Sequence, residues 1–246
     1  MKNANIVFAL IYILTLFFQS CSLNIKRGNG NIEIYEIEIK NFNKINIGGN
    51  YDVSLIKSDD TKVIIETDEN LLPYINTELF EQSLNINNVH NLKSSDGIKI
   101  EIYYKELNKI YSTGASNMEH KGILVTEELA INLSGVGAID LEIQTTKVQV
   151  NLTGAGVVTL SGDTNFQETH ISGAGGLRAF DLKSKGCSIN LSGLGGAEVM
   201  ATEKLEATIT GVGGIIYAGN PKVIERQVTG FGKIKRAEEY INEENI

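Results

Sequence analysis

The chain has 246 residues, of which 25 are Gly, only 2 are Pro and none is Trp. Its formal net charge of −8 argues against general nucleic-acid binding, because neutralising phosphates needs clustered Lys and Arg. Hydrophobic residues at 42% and charged residues at 21% give the balance of a folded protein, and Gly without Pro suits turns set between strands better than a disordered linker.

Residues 1–21 read as a targeting segment. Lys2 gives a positive start, and Ile6 to Phe18 is an apolar run broken only by Thr15. That run is too short for a comfortable membrane span, which takes about 20 apolar residues. It closes on Gln19-Ser20-Cys21. In an ordinary signal peptide Cys21 would be incidental. In a lipoprotein signal its thiol takes a diacylglycerol group and becomes the mature N-terminus. The second reading is preferred, although the run before Cys21 departs from the strict Leu-Ala-Gly-Cys box and resembles the looser Bacteroidetes-type form. Two or three acyl chains anchor stably where one does not, so the membrane is the first expected partner. With Cys21 so used, Cys187 has no partner and no structural disulfide is expected.

Residues 22–31 read as a tether, with Lys26 and Arg27 as a weak basic signal for anionic lipid. Residues 32–110 read as strands. Ile45, Ile47, Tyr51, Val53 and Leu55 alternate with polar residues, as do Val63 and Ile65, Leu84 and Ile86, and Ile98 to Tyr104. One helical candidate spans Asp68 to Phe80. Pro73 is tolerated only in a first turn, so any helix there is short.

From residue 111 to 236 one signature recurs seven times: Ser or Thr, then Gly, a variable residue, and a small residue that is nearly always Gly. Thr113-Gly114-Ala115-Ser116 is the first copy and Thr229-Gly230-Phe231-Gly232 the last. The first Gly of each copy follows the one before by 21, 19, 19, 20, 18 and 19 residues. A fixed period of this length with strand-like sequence between is the mark of a solenoid. Within one period Ile131, Leu133, Gly135, Gly137, Ile139, Leu141 and Ile143 share one parity, which must face a common interior. The expected fold is all-β: a single-chain parallel β-helix of about seven rungs of 18–21 residues, with a β-rich N-terminal part. The crossover rule favours a right-handed coil. Residues 237–246 form a charged tail that could cap the last rung.

Three stretches carry a family resemblance. Residues 41–53 (Asn-Phe-Asn-Lys-Ile-Asn-Ile-Gly-Gly-Asn-Tyr-Asp-Val), Leu71-Leu72-Pro73-Tyr74-Ile75, and Leu107-Asn108-Lys109-Ile110 running into Thr113-Gly114-Ala115-Ser116 resemble, in that order, the head GIN domain family, also described as putative auto-transporter adhesins. The likeness spans about residues 35–236. The chain departs from the usual family form at Gly48-Gly49-Asn50-Tyr51. The resemblance implies a lipid-anchored β-helical envelope protein of Bacteroidetes, and it brings no catalytic residues.

The opposite parity forms outward columns. Asn132, Asn151, His170 and Asn190 make one, continued by Thr208 and Gln227. Ser134, Thr153, Ser172 and Ser192 make the next, continued by Thr210 and Thr229. Stacked like side chains can hydrogen-bond from rung to rung. The functional alternative is a binding face for a glycan or another envelope protein. The variable residues Ala115, Val136, Ala155, Ala174, Leu194, Val212 and Phe231 form a third, wholly apolar column. Unbroken alternation would place two side-chain-free glycines in succession inside each rung, and voids are unfavourable. The expectation is therefore that the first Gly turns the variable side chain inward. The alternative is an outward apolar stripe that binds a partner.

Motifs for chemistry are weak. No Gly pair is followed by the Lys-Ser/Thr of a phosphate loop. Three residues after the second Gly stand Asp140, Thr159, Arg178, Glu198, Ile216 and Lys235, which offer calcium no repeated oxygen cage. His90, His120 and His170 have no metal-ligand spacing. No metal and no cofactor is expected. Glu142, Asp140, Asp163 and Asp181 fall at different phases of the rung, whereas glycoside hydrolysis wants two facing carboxylates. A non-enzymatic envelope module is the preferred reading, and a carbohydrate-active enzyme on the same scaffold the alternative.

Overall fold

Strands rich in Ile, Val and Leu at every second position need a shared interior, and here they find it by coiling. A computed structural model describes residues 25–238. Its N-terminal strands are β1 (Ile25–Arg27), β2 (Ile32–Glu38), β3 (Lys44–Gly48), β4 (Asp52–Lys57), β5 (Lys62–Asp68), β6 (Ile75–Phe80), β7 (Ser83–Asn88), β8 (Asn91–Lys93), β9 (Lys99–Tyr104) and β10 (Lys109–Ser112). The array follows as β11 (Ala115–Val125), β12 (Glu128–Leu133), β13 (Val136–Leu152), β14 (Ala155–Ile171), β15 (Ala174–Leu191), β16 (Leu194–Ile209), β17 (Val212–Ala218), β18 (Val223–Val228) and β19 (Phe231–Arg236). In the helical candidate only Leu72–Tyr74 forms a 3₁₀ turn, with Pro73 in its first turn; Asp68 ends β5 and Ile75–Phe80 form β6.

Two sheets face each other. The first runs β6–β7–β3–β10–β12, then the second halves of β13 to β16, then β18. The second runs β2–β5–β9–β4–β11, then the first halves of β13 to β16, then β17 and β19. From β3 and β4 onward the strands are parallel, and the antiparallel β2, β5 and β6 close the N-terminal end. This is the parallel β-helix of the periodicity. One apolar core runs from Phe42 to Tyr217 through both parts of the chain. The column Leu84, Ile45, Ile110, Ile131, Val150, Thr169, Ile189, Ala207 shows the register. Thr169 belongs to a rung whose interior is partly polar: Gln167 accepts from Ser184 Oγ (3.2 Å) and donates to Thr169 Oγ1 (3.4 Å).

The same register reveals an additional corner. Ile47 lies opposite Ser112 and Asp52 opposite Asn117, so Gly48-Gly49-Asn50-Tyr51 stacks on Thr113-Gly114-Ala115-Ser116. The last rung ends differently. Arg226 occupies the inward column of Ala207, and Arg236 the inward column of Tyr217, where it donates to the Gly219 carbonyl (3.1 Å). Every residue of β18 is exposed. Inward charges at an open sheet edge discourage another chain from pairing there. The charged tail lies outside the described residues from 239 onward.

The stretch expected as a tether is held from residue 25. β1 pairs with β8, and the Gly28 amide donates to the Lys93 carbonyl (2.9 Å). Asp68, fully buried, accepts from the Gly30 amide (2.7 Å), Ser94 Oγ (2.6 Å), the Ser95 amide (3.0 Å) and Ser95 Oγ (2.8 Å). Burial alone would raise its carboxyl, but these four donors outweigh it and hold it well below the usual range. Because the folded pKa is lowered, the stability it contributes is present above the ordinary carboxylate pKa and is lost as pH falls through the folded one. Asp68→Ala should cost about 1–3 kcal/mol, since it strands buried donors. Hydrogen exchange should show the loss first at Gly30 and Ser95.

Glycines at the corner are set by close approach. A Cβ on Gly154 would overlap the Gly135 carbonyl oxygen of the rung before, and one on Gly156 would overlap that of Gly137. By contrast a Cβ on Gly176 would meet nothing nearer than the Gly196 carbonyl oxygen at 3.5 Å. Gly154→Ala should therefore destabilise by about 2–3 kcal/mol through forced separation of rungs, while Gly176→Ala should leave the melting temperature within error. Equal effects in paired thermal melts would contradict this account of the corner.

Candidate functional site

The corner repeats one hydrogen-bond pattern on each rung. Thr153 N and Gly154 N both donate to the Leu133 carbonyl (3.0 and 3.2 Å), and Ala155 N donates to Gly135 (3.0 Å). The same three bonds recur at Ser134, Ser172, Ser192, Thr210 and Thr229. The residue between the two glycines points out, whereas a Cβ on either glycine would run into the rung before. The expectation of inward variable residues is thus corrected: Val136 is 56% exposed, Leu194 59%, Val212 47% and Phe231 82%. Ala115, Ala155 and Ala174 are exposed with them. The feared voids do not arise, because the space beside the second Gly is filled. The Leu133 Cδ2 methyl occupies it at Gly156 and Leu152 Cδ2 does so at Gly175, with neighbouring carbonyl oxygens taking the remainder.

The result is a straight apolar stripe along one edge of the solenoid, with one side chain per rung at a spacing of about 4.8 Å. At its N-terminal head the stripe position is held by exposed Asn50, and Tyr51, in the place of the second Gly, is buried. Beside the stripe runs the hydroxyl column Ser134, Thr153, Ser172 and Ser192, exposed on every rung. Only Ser192 Oγ among these four has a hydrogen bond in the structure, a long one (3.5 Å) to the Ile171 carbonyl. The amide column lies next. Asn132, Asn151, His170 and Asn190 stand in register, and Asn151 Nδ2 donates to Asn132 Oδ1 (3.0 Å). His170 breaks this ladder and turns to Glu168 (3.3 Å). No charged residue occurs in any of the seven signature copies.

The opposite turn has the contrary character, with exposed Asp163, Asp181, Lys183, Lys185 and Glu203. A depression of about 360 Å³ on the second sheet gathers Asp52, Glu119 and Asp140. Glu119 and Asp140 stand opposite each other in neighbouring rungs, and Asp52 joins them from β4, outside the repeated signature. Lys121 and Ser54 hold Glu119, and their hydrogen bonds keep its carboxyl below the ordinary range. Glu69, Glu168, Glu206 and Asp68 are lowered as well, so each carboxyl with a resolved shift is fixed as an acceptor rather than poised to give a proton. Among the described residues no three His, Cys, Asp or Glu side chains group closely enough to hold a metal ion.

Cys187 is buried, and burial pushes its thiol up to about 12, which leaves it inert. His120 is half-buried. Its Nε2 lies 2.5 Å from the Tyr104 hydroxyl and its Nδ1 2.7 Å from the Gly122 carbonyl, and burial lowers its pKa. Cys21, the expected lipidation site, lies outside the described residues.

Comparisons with known proteins agree with this architecture. The sequence model described as putative auto-transporter adhesin, head GIN domain, matches residues 41–221. The chain is similar to the crystal structure of a putative adhesin from Bacteroides fragilis, with a TM-score of 0.83 and 26% identity, covering 86% of this chain and 99% of that one. It is similar also to a putative lipid binding protein from Parabacteroides distasonis, with a TM-score of 0.70 and 27% identity, covering 87% and 100%. A putative adhesin from Parabacteroides merdae shares the fold at a TM-score of 0.68 and 24% identity, covering 87% and 99%. Comparison with curated proteins gives no sequence match.

The direction of the stripe has a simple check. Leu194→Asp should shift stability by less than about 0.5 kcal/mol, as surface substitutions do. A thermal melt that falls by many degrees would return Leu194 to the interior.

Proposed function

The chain belongs to the head GIN domain family, and from that membership we propose that it is a lipid-anchored protein of the cell envelope, a non-enzymatic, adhesin-like contact module. The observation that carries this reading is the corner edge: a row of exposed apolar side chains flanked by exposed hydroxyls and by half-buried to exposed amides, without a charge in its seven copies. Such an edge contributes contact area. It offers no nucleophile next to a base and no proton donor of raised pKa. The partner classes that fit are a membrane surface, a glycan or another envelope protein. Adhesin names among similar structures support the same role.

Cys21 supplies the anchor, with its thiol acylated after removal of the leader. It stands four residues before β1, so the folded body follows the lipid almost at once. Full-length protein produced in a host that processes lipoproteins should take up an alkyne-palmitate label and sediment with membranes, and Cys21→Ser should do neither. Label retained by Cys21→Ser would remove the anchor from this reading. The same Cys21→Ser protein, freed from lipid, should release no reducing or unsaturated ends from a panel of polysaccharides. Release abolished by Asp140→Asn or Glu119→Gln would favour the carbohydrate-active alternative.

A further inference from the structure

We infer that the occupant of the apolar corner stripe is the lipid surface itself, so that the solenoid lies along the membrane on this edge rather than standing away from it. The inference rests on the proposed acylation of Cys21 and names the partner of the edge described above.

The first argument is chain length. Residues 22–24 alone separate Cys21 from β1, an extended reach of no more than about 14 Å from Cα to Cα. β1 is not free to swing, because it pairs with β8 and is followed by the Asp68 clamp on Gly30. An acylated Cys21 therefore brings a fixed point of the folded body to the bilayer.

The second argument is where that fixed point lies. Ile25 borders a cavity of about 550 Å³ together with Gly49, Leu92, Lys93, Gly114 and Ala115. Gly114 and Ala115 belong to the first signature copy, at the head of the stripe. Ile25, four residues after the proposed anchor, thus lies beside one end of the apolar row and, itself exposed, continues it. From there Val136, Leu194, Val212 and Phe231 extend the row along the solenoid axis to the last rung.

The third argument is charge. In a protein of net charge −8, the seven corner copies carry none, while Asp163, Asp181, Lys183, Lys185 and Glu203 lie at the opposite turn. The cross-section of the solenoid is amphipathic in the sense of an interfacial helix, with an apolar edge on one side and a charged edge on the other. Lys26, Arg27 and Lys93 sit at the anchored head, with Arg27 opposite Lys93 in the β1–β8 register, and suit anionic headgroups. A soluble partner protein would account for an apolar stripe. It would not account for a stripe that begins beside Ile25, within a few residues of the proposed anchor.

The chain lacks Trp, so a single introduced Trp reports its own surroundings. Full-length acylated protein carrying Leu194→Trp, and separately Asp163→Trp, is reconstituted on vesicles of phosphatidylethanolamine and phosphatidylglycerol. Lipids brominated along the acyl chains serve as quenchers. Leu194→Trp should emit at shorter wavelength on vesicles than in detergent-free buffer as the Cys21→Ser protein, and bromolipid should quench it severalfold more than Asp163→Trp. Val212→Trp should repeat the result if Leu194→Trp melts early. Vesicle-bound protein with equal, weak quenching at both sites overturns the stripe proposal and leaves the anchor standing. Protection of Leu194→Trp that needs an added glycan or protein overturns it in favour of that partner. Protein that fails to acquire lipid and to float with vesicles removes the anchor, and the stripe proposal with it.

Discussion

At the glycine corner three amides of one rung donate to carbonyls of the rung before, and the two rungs approach so closely that no Cβ fits between them. The rest of the molecule follows from that contact. Because the bonds run from rung to rung, the corner turns without leaving buried backbone groups unpaired. Because the turn keeps the alternation of the strands, Leu133 and Leu152 can reach across beneath the next corner and close the interior. The residue between the glycines then has nowhere to go but out. An exposed apolar row is thus the direct consequence of tight stacking, and its straightness comes from the rungs' common register.

Much of this architecture was legible in the sequence, because a solenoid writes the same sentence many times. The period, the inward parity and the outward Asn and Ser/Thr columns can all be read from residues 131–232. The direction of the variable residue could not. Counting inward positions treats each one as a space to be filled, whereas the space beside Gly156 belongs to a leucine 23 residues earlier and to a carbonyl oxygen. The rung at Gly48-Gly49-Asn50-Tyr51 escaped the repeat count for a related reason. As the first corner of the stack it has Asn50 in place of the apolar residue and Tyr51 in place of the small one. The clamp on the N-terminal segment was hidden too. Asp68, Ser94 and Gly30 are far apart in sequence, and nothing local distinguishes a carboxylate that will gather four donors from any other surface acid.

The site was legible in part. The columns containing Asn132, Asn151, His170 and Asn190, and Ser134, Thr153, Ser172 and Ser192, are in register as the spacing required. Their chemistry is less uniform than a ladder of like side chains suggests. One Asn pair bonds, His170 turns to its own strand, and of the four hydroxyls only that of Ser192 bonds within the protein. The apolar stripe beside them became meaningful only when its exposure and its position next to β1 were both in view. The buried thiol of Cys187 and the hydrogen-bonded carboxylates of Glu119 and Glu168 point the same way, since each is held in one protonation state by its surroundings.

Arg226 and Arg236, placed in the interior columns of the last rung, give the array a definite end. Rungs between the two ends touch only their neighbours, as in any solenoid. A duplicated period of about 19 residues inserted after residue 171 would carry its own Ser/Thr, its own glycine pair and its own outward side chain, and would leave the N-terminal clamp and the arginine-closed terminus as they are. The molecule is in that sense a ruler: the number of glycine corners counts the length of the exposed row, while the ends decide only where the count starts and stops.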